Sequence, residues 1–324
     1  MPGEKAVPVC ILFGPTGSGK TAVIEELFAR RGAPVRAEIV SADSMQVYRG
    51  MDIGTAKPDR SLRQRLPHHL IDIRDPREQF SAGDFVRLAD EACVAIARRG
   101  ALPVVSGGTG FYLRNFILGL SEAPPASAAL REALREALRR RGEAALREEL
   151  AACDPPSAAR IHPNDTYRLL RALEVFRLSG RPLSSFAPSS PDGRGGKYRF
   201  LILGLRRPRE ELYRRIDERC AAMFRRGLPA EVEGLCRAGY GPGDPAFAAI
   251  GYREFFVEAA PGEYALSADL EAVAALVARN SRRYAKRQIT YFASLPGGRW
   301  ISAGEDPAAR FREALEAFLA EVPA

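Results

Sequence analysis

Short apolar runs alternate with helical patterns over roughly the first third of the chain. Two runs typical of buried strands, Val7–Phe13 and Leu102–Ser106, are each followed by a glycine-rich turn. Weaker patterns lie between them and predict strands at Glu38–Ser41 and His69–Ile73, and helices at Thr21–Arg31 and Phe85–Arg99, the last with Ser81 as N-cap. Strands that alternate with helices are typical of a parallel sheet covered on both faces. The pattern therefore predicts an α/β fold.

The strand signals stop at Glu122. Helical periodicity covers Leu130–Leu150 and Asp165–Ser179, and Ser184–Lys197 is rich in turn residues. A strand pattern returns at Tyr198–Leu205, and further helical segments follow it: Pro208–Arg226, Pro229–Arg237, Leu270–Leu295 and Asp306–Ala320. We therefore predict an all-helical domain, residues 122–198, that is inserted into a core formed by residues 1–121 and 199–324.

The charge of the chain favours a polyanionic partner without deciding for one. The 324 residues carry a formal net charge of +8, and most of the positive charge comes from arginine. Nucleic acid is one explanation, and a composition biased toward arginine and alanine is the other. The five cysteines form no C-x-x-C pair, which is typical of reduced thiols and not of a zinc site. Because no apolar run approaches the length of a membrane span and no signal-peptide pattern is seen, we expect a cytoplasmic protein.

The strongest single motif is a phosphate-binding loop between the first predicted strand and the first predicted helix. It matches G-x-x-x-x-G-K-[ST] at each position: Gly14, Pro15, Thr16, Gly17, Ser18, Gly19, Lys20 and Thr21. Glycine allows successive N–H groups to point at phosphate oxygens, lysine adds a charge at the terminal phosphates, and the threonine hydroxyl is a ligand for Mg²⁺. We predict that this loop binds a phosphate compound, with Mg²⁺ at Thr21.

The loop does not identify the phosphate compound. ATPases of this type hold Mg²⁺ with an aspartate at the end of a strand, and here only Asp72 approaches that pattern. Asp43 directly follows the second predicted strand, at the edge where doubly wound sheets bind ligands. It is either a general base beside the phosphates or the cap of a short helix.

An ordered set of motifs resembles one family. GPTGSGKT, SADSMQVYRGMDIGTAKP, HHLIDI, SGGTGFYLR, RIHPNDTYRLLRALEV, GYRE and AKRQIT occur in this order between Val9 and Phe292. The second motif is far more specific than the phosphate loop, which many families share. The chain is therefore similar to the bacterial tRNA dimethylallyltransferases of the IPP transferase family.

The resemblance implies a P-loop NTPase-like core that performs a prenyl transfer. Such enzymes move a dimethylallyl group from dimethylallyl diphosphate to N6 of adenosine 37, beside the anticodon of tRNAs that read codons starting with U. Their phosphate loop holds the diphosphate, so an ATPase-type aspartate is not needed. By this resemblance Asp43 is the general base, Arg219, Lys20 and Mg²⁺ neutralise the leaving diphosphate, and Thr109 lines the site near the target base. A cytoplasmic monomer is the family expectation.

The resemblance also implies contacts with tRNA along much of the chain. These positions are Asp43, Ser44, Met45, Gln46, Thr109, Arg131, Tyr167, Arg168, Arg171, Gly251, Tyr252, Arg253, Lys286, Arg287 and Gln288. From the residues alone, Arg219 is as readily a solvated helix charge, and Thr109 a helix N-cap. Basic residues at helical spacing from Arg279 to Arg287 form one helix face, which either meets phosphates or faces solvent. The insertion could equally be a helical lid held by ion pairs.

Three other functions stay open at this level. A small-molecule kinase shares the phosphate loop but consumes ATP. A prenyltransferase acting on free adenine nucleotides needs no RNA-binding surface, and a non-catalytic RNA-binding module needs no complete phosphate loop. The helical insertion and the basic helix favour a macromolecular acceptor, and the intact loop favours an enzyme.

Overall fold

The computed structural model describes residues 6–30, 32–186, 196–304 and 306–321. Contacts divide the chain into two compact units, Met1–Leu118 with Arg194–Ala324 and, between them in sequence, Gly119–Gly193. The predicted insertion, residues 122–198, overlaps the second unit, which begins three residues earlier (119 against 122) and ends five residues earlier (193 against 198).

A six-stranded sheet forms the centre of the first unit, in the order β3-β2-β4-β1-β5-β8. The strands are β1 (Val7–Phe13), β2 (Ala37–Ser41), β3 (His68–His69), β4 (Leu102–Gly107), β5 (Tyr198–Arg206) and β8 (Arg299–Ser302). Every neighbouring pair in this sheet is parallel. The predicted α/β class is thereby confirmed, and β8 is an edge strand that the sequence pattern did not reveal.

Helices cover both faces of this sheet. Those that share apolar clusters with the strands are α1 (Lys20–Ile24), α2 (Arg60–Arg65), α3 (Ala82–Arg98), α4 (Gly110–Leu118), α10 (Leu270–Phe292) and α11 (Pro307–Ala320). The same unit also contains α8 (Arg209–Arg225) and α9 (Leu228–Arg237). Alternate side chains of β1 enter two separate apolar clusters, because successive residues of a strand point to opposite faces. Val9 and Ile11 pack in the cluster that includes α3 and α4, whereas Cys10 and Leu12 pack in the one that includes α1 and α11.

A third apolar cluster fixes the long loop after β2. Val47, Tyr48 and Met51 of that loop are buried with residues of α8, α9 and α10, among them Ile216 and Val277. The specific motif SADSMQVYRGMDIGTAKP, which contains Asp43, is therefore packed against a core of its own and is not a free surface loop.

The regular secondary structure in the described part of the second unit is all helical. It contains α5 (Ala128–Cys153), α6 (Pro155–Arg160), α7 (Thr166–Ser179) and a 3₁₀ turn at Leu183–Ser185. Its buried leucines form a cluster of their own, which includes Leu134, Leu146, Leu150, Leu169 and Leu173. Both helices predicted here are confirmed, with a break in α5 at Gly142, where φ is 78°. Of the predicted loop Ser184–Lys197, residues 187–195 lie outside the described residues.

Two local predictions were wrong, and one pair of strands was missed. The strand expected at His69–Ile73 has only two residues, His68–His69, because Leu70 and Asp72 adopt positive φ values of 64° and 59° that turn the chain. The helix expected to reach Arg31 ends its α-helical part at Ile24 and continues as a π-helical turn to Ala29. An antiparallel hairpin, β6 (Phe256–Ala260) with β7 (Glu263–Leu266), lies between two of the predicted helical segments and was not predicted.

Two further features concern the environment of the chain. No helix in the described residues combines the length and the apolar character that crossing a bilayer requires. None of the five cysteines, all of which lie in the described residues, forms a disulfide bond.

Candidate active site

The phosphate loop connects the end of β1 to the start of α1, as predicted. Gly17 has a φ of +79°, and a Cβ atom there would lie 2.9 Å from Cγ1 of Ile216. Both the backbone conformation and the close approach of α8 therefore require glycine at this position. The neighbouring Gly19 also has a positive φ, so the two glycines permit the tight curl of the loop.

Lys20 lies over the loop that precedes it. Its Nζ donates hydrogen bonds to the carbonyl oxygens of Gly14, at 2.7 Å, and Pro15, at 3.1 Å. Burial and the nearby Arg219 charge lower the pKa of Lys20 to about 8, while Asp43 acts in the opposite direction. An anion at the loop would offset both unfavourable effects, so this lysine is suited to a negatively charged ligand.

Three arginines hold the loop from the side of β5 and α8. Arg207 donates from Nε to the carbonyl of Ser18 at 2.7 Å, and Arg215 donates from Nε to the carbonyl of Gly17 at 3.0 Å. Arg219 donates from Nη1 to Oγ1 of Thr16 at 3.0 Å, and burial lowers its pKa. Sequence reasoning found Arg219 but missed Arg207 and Arg215. The four-residue spacing of 215 and 219 on one helix was the available signal for Arg215. Arg207 is also paired with Glu211, so among the described residues it is Arg215 and Arg219 whose unpaired positive charge suits a polyphosphate group.

Asp43 lies two residues after β2 and shapes a tight turn with its own backbone. Oδ1 accepts hydrogen bonds from the amides of Met45, at 2.9 Å, and Gln46, at 3.3 Å. The helix-cap alternative was wrong, since the next helix, α2, begins only at Arg60. Oδ2 makes no hydrogen bond to any residue in the described ranges and is left for a ligand.

Thr109 adjoins the same turn from the loop after β4. Thr109 occupies the N-cap position of α4, since its carbonyl accepts from the amide of Leu113 at 3.2 Å, and its Oγ1 accepts a hydrogen bond from the amide of Ser44 at 3.1 Å. Gln46 is used internally as well: its Nε2 donates to the carbonyls of Thr55, at 3.2 Å, and Ala56, at 3.3 Å. Thr109 and Gln46 therefore stabilise the backbone that carries Asp43.

The phosphate loop and the Asp43 turn line one cavity of about 590 Å³ within the first unit. Lys20, Asp43 and Arg219 all line it. A second cavity, of about 460 Å³, shares Lys20, Thr21 and Arg219 with the first and extends toward Arg215. A phosphate-binding lysine and a carboxylate facing one cavity are the groups that a transfer from a phosphate ester requires.

The family of the chain follows from comparison with known proteins. The IPP transferase family model matches residues 46–295. The chain belongs to the IPP transferase family. A tRNA dimethylallyltransferase of Geobacter sulfurreducens is 46% identical over 90% of both chains, and tRNA dimethylallyltransferase 2 of Geotalea uraniireducens is 46% identical over 98% of this chain and 99% of its own.

Solved structures agree with this assignment. A full-length tRNA isopentenylpyrophosphate transferase of Bacillus halodurans is similar with a TM-score of 0.66 and 35% identity, with 97% of each chain covered. A eukaryotic dimethylallyltransferase acting on tRNA reaches a TM-score of 0.76 at 25% identity, over 99% of this chain and 81% of its own. The P-loop-type core of this IPP transferase is therefore shared with structures of its family.

The side chains at two predicted tRNA contacts of this IPP transferase form hydrogen bonds within the protein, and the contacts themselves stay predictions. Tyr252 is fully buried, and its hydroxyl donates to Oε1 of Glu231 at 2.6 Å. Gln288 is 5% exposed, and both ends of its amide are bonded to protein. Gly251 is buried beside Tyr252, so Arg253 is the one member of its predicted group with an exposed side chain. The motif match that predicted these contacts carries no information on burial.

Glu231 of α9 is a residue that sequence reasoning missed. Its carboxylate accepts hydrogen bonds from the amides of Asp52, Ile53 and Gly54 at 2.8–3.2 Å, in addition to that from Tyr252. It thereby fixes the far end of the loop that starts at Asp43. No local pattern around Glu231 indicates this, because its partners lie almost 180 residues earlier.

In the second unit, the predicted contact residues fall into two kinds. Arg131 and Arg171 both pair with the carboxylate of Glu174, which is 1% exposed. Tyr167 and Arg168 are exposed, and Arg168 pairs with Asp165 on its own helix. Tyr167 and Arg168 therefore present their side chains to solvent, whereas Arg131 and Arg171 neutralise a buried charge.

The basic face predicted on α10 is present, but one of its arginines is paired with an acidic residue. Arg279, Arg283, Lys286 and Arg287 are exposed. Arg282 forms an ion pair with Asp217 of α8 and is half-buried. Arg287 also lines the main cavity, so this basic face continues into the site.

Proposed function

We propose that this protein transfers the dimethylallyl group of dimethylallyl diphosphate to N6 of adenosine 37 in tRNA and releases diphosphate. The observation that carries the proposal is the shared cavity, which Lys20, Arg219 and Asp43 line together. Relatives of this chain are named tRNA dimethylallyltransferases, and a related structure is of a dimethylallyltransferase acting on tRNA. The target base must leave its stack to reach a buried cavity.

The residues divide the chemistry between leaving group and nucleophile. Lys20 and Arg219 neutralise the charge that develops on diphosphate as the bond between the allylic carbon and oxygen breaks. Asp43 accepts a proton from N6 through the oxygen that its own turn leaves unbonded, while the nitrogen forms the new bond to carbon. Thr109 acts by holding Ser44 beside Asp43.

Mg²⁺ is part of the proposal. Thr21 is exposed at the start of α1 and lines both cavities beside Lys20, which fits a hydroxyl ligand for a metal bound to diphosphate. The described residues contain no cluster of three carboxylate, histidine or cysteine side chains that would hold a metal alone. This fits an ion that keeps water and phosphate oxygens as most of its ligands. When bound, the ion supplies further neutralisation of the leaving group.

The finer assignments rest on the family resemblance. They are action on tRNAs that read codons starting with U, a monomeric state and a cytoplasmic location. The exposed basic face of α10 supports an RNA acceptor over a free nucleotide, because only a polymer presents several phosphates at once.

One incubation tests the proposal. Labelled dimethylallyl diphosphate, Mg²⁺ and unmodified tRNA should give label in tRNA, and a matched tRNA with guanosine at position 37 should remain unlabelled. ATP in place of the donor should give no product. Transfer of the γ-phosphate of ATP to a small hydroxyl compound, with release of ADP and without labelling of tRNA, would show a kinase instead.

A further inference from the structure

Gln288 joins two parts of the site that are distant in sequence. It lies on α10 and is buried. Its Oε1 accepts a hydrogen bond from the amide of Thr16 in the phosphate loop, at 2.8 Å. Its Nε2 donates to the carbonyl of Gly108, after β4, at 2.8 Å. One side-chain amide therefore bridges the phosphate loop and the Gly-Gly-Thr turn.

The bridge continues on both sides to the reacting groups. Thr16 accepts a hydrogen bond from Arg219, which is assigned to the leaving diphosphate. On the other side, Gly108 is followed by Thr109, whose hydroxyl holds the amide of Ser44 next to Asp43. Gln288 is thus the link in a chain of contacts between Arg219, which meets the diphosphate, and the turn that carries Asp43, which takes the proton.

The chemistry of the two partners specifies an amide. The Thr16 N–H needs an acceptor and the Gly108 carbonyl needs a donor, and a glutamine side chain provides both. The fit is also tight, since a Cβ atom on Gly108 would lie 2.5 Å from Nε2 of Gln288. A carboxylate would supply the acceptor alone, and an aliphatic side chain would supply neither.

We propose that Gln288 is a positioning residue for the transfer proposed above, on which this inference rests. Its amide sets the separation between the phosphate loop and the Gly108–Thr109 turn, and thereby the approach of N6 to the allylic carbon. Reactions between two bound groups depend steeply on such placement. Gln288 also lines the main cavity, but the role proposed here acts through Thr16 and Gly108 and needs no contact with tRNA.

The first test separates positioning from RNA binding. In single turnovers with donor and tRNA saturating, Gln288→Leu should lower the transfer rate by roughly 10²-fold, the effect of a misplacement of about 1 Å. Its affinity for tRNA should change less than about twofold, as expected when every residue that meets phosphate is kept. Thr290→Val is the matched control, because the Thr290 hydroxyl bonds only within α10, to the carbonyl of Lys286 at 3.2 Å. This control should keep the wild-type rate.

A second variant tests the amide requirement directly. The protonated side chain of Gln288→Glu offers one acceptor and one donor, as glutamine does. The ratio of its transfer rate to that of the wild type at the same pH should therefore rise as the pH is lowered through the pKa of the new carboxyl. The ratio for Gln288→Leu should stay flat. A flat ratio for the glutamate variant would show that the amide's two bonds are irrelevant to the rate.

Other outcomes also decide the matter. A Gln288→Leu rate within threefold of wild type would overturn the proposal, and so would a loss of tRNA affinity that matches the loss of rate.

If the wild type transfers nothing, the proposed function has failed, and inorganic pyrophosphate binding measured by calorimetry then tests Gln288 alone. Gln288→Leu should bind it roughly fivefold more weakly, the worth of one hydrogen bond. Equal affinity would refute the positioning role. If Gln288→Leu does not unfold cooperatively on heating, Gln288→Glu carries these measurements.

Discussion

At the scale of single residues, the two oxygens of Asp43 have different tasks. Oδ1 accepts from two backbone amides and keeps the turn, and Oδ2 has no partner among the described residues. Asparagine can make the same turn, because its side-chain oxygen also accepts from the backbone two residues on, but it cannot take a proton. The turn and the proton transfer can therefore be separated by one substitution.

We expect Asp43→Asn to lower the single-turnover rate by roughly 10²–10⁴-fold, the usual contribution of a general base. Its tRNA affinity should stay near that of the wild type, since the turn is preserved. Asp43→Ala should lose the rate to the same extent but weaken tRNA binding as well, because the turn is disrupted. An asparagine variant within threefold of the wild-type rate would remove Asp43 from the role of base.

The charge of Lys20 depends on pH in the range of ordinary assays, because its pKa is lowered to about 8. A lysine loses its positive charge above its pKa, whereas a bound anion raises that pKa and favours the charged form. Binding of pyrophosphate above pH 8 therefore takes up a proton and weakens as the pH rises. Below pH 8 the lysine is already charged and this contribution is fully present.

We predict that wild-type protein binds pyrophosphate more tightly than Lys20→Ala at pH 7, and that this advantage shrinks as the pH rises from 8 to 10. Calorimetry on both proteins measures it, and the ionisation of pyrophosphate itself cancels in the comparison. An advantage that stays constant across this range would mean that Lys20 does not supply charge to the anion.

At the scale of elements, the basic face of α10 has free and paired members. Arg283 and Lys286 are exposed, whereas Arg282 is paired with Asp217. Phosphate contacts position a nucleic acid without reading its sequence, and each one adds to the salt dependence of binding. The free members should therefore dominate RNA affinity.

Neutralising Arg283 and Lys286 to glutamine should weaken binding of all tRNAs. It should also flatten the plot of log affinity against log salt by roughly 0.7–0.9 for each phosphate that is no longer neutralised. Arg282→Gln is the matched control on the same face and should change the slope less. Pyrophosphate affinity should be unaffected in both. Equal salt slopes for the double variant and the wild type would show that this face only meets solvent.

At the scale of the whole molecule, the two units have separate apolar cores. Leu173 is fully buried in the cluster of the second unit, and Leu12 is buried on one face of the sheet in the first unit. A leucine-to-alanine change costs about 2–5 kcal/mol where the cavity cannot collapse. Because no apolar cluster of the described residues contains side chains from both units, the loss of stability from one such change should fall on one unit alone.

We expect Leu173→Ala to lower the urea midpoint of the second unit while pyrophosphate binding by the first unit stays unchanged. Transfer to tRNA should fall, because the exposed Tyr167 and Arg168 are carried by the destabilised helix α7. Leu12→Ala should have the opposite effect and abolish pyrophosphate binding at lower urea. A single transition that shifts as a whole in both variants would show that the units unfold together.

The sequence by itself determined the parallel core, the helical insertion, the phosphate loop and Asp43. These features are local: a strand, a glycine curl and a carboxylate after a strand are set by residues near one another in the chain. Only the tertiary structure decided what Tyr252, Gln288, Glu231, Arg207 and Arg215 do. The partners that give them these roles lie 21 to 272 residues away, a separation that no local pattern encodes, and the side chains at two predicted RNA contacts form internal hydrogen bonds. A motif identifies the residues of a family, but the direction in which each side chain points is settled only when distant segments pack together.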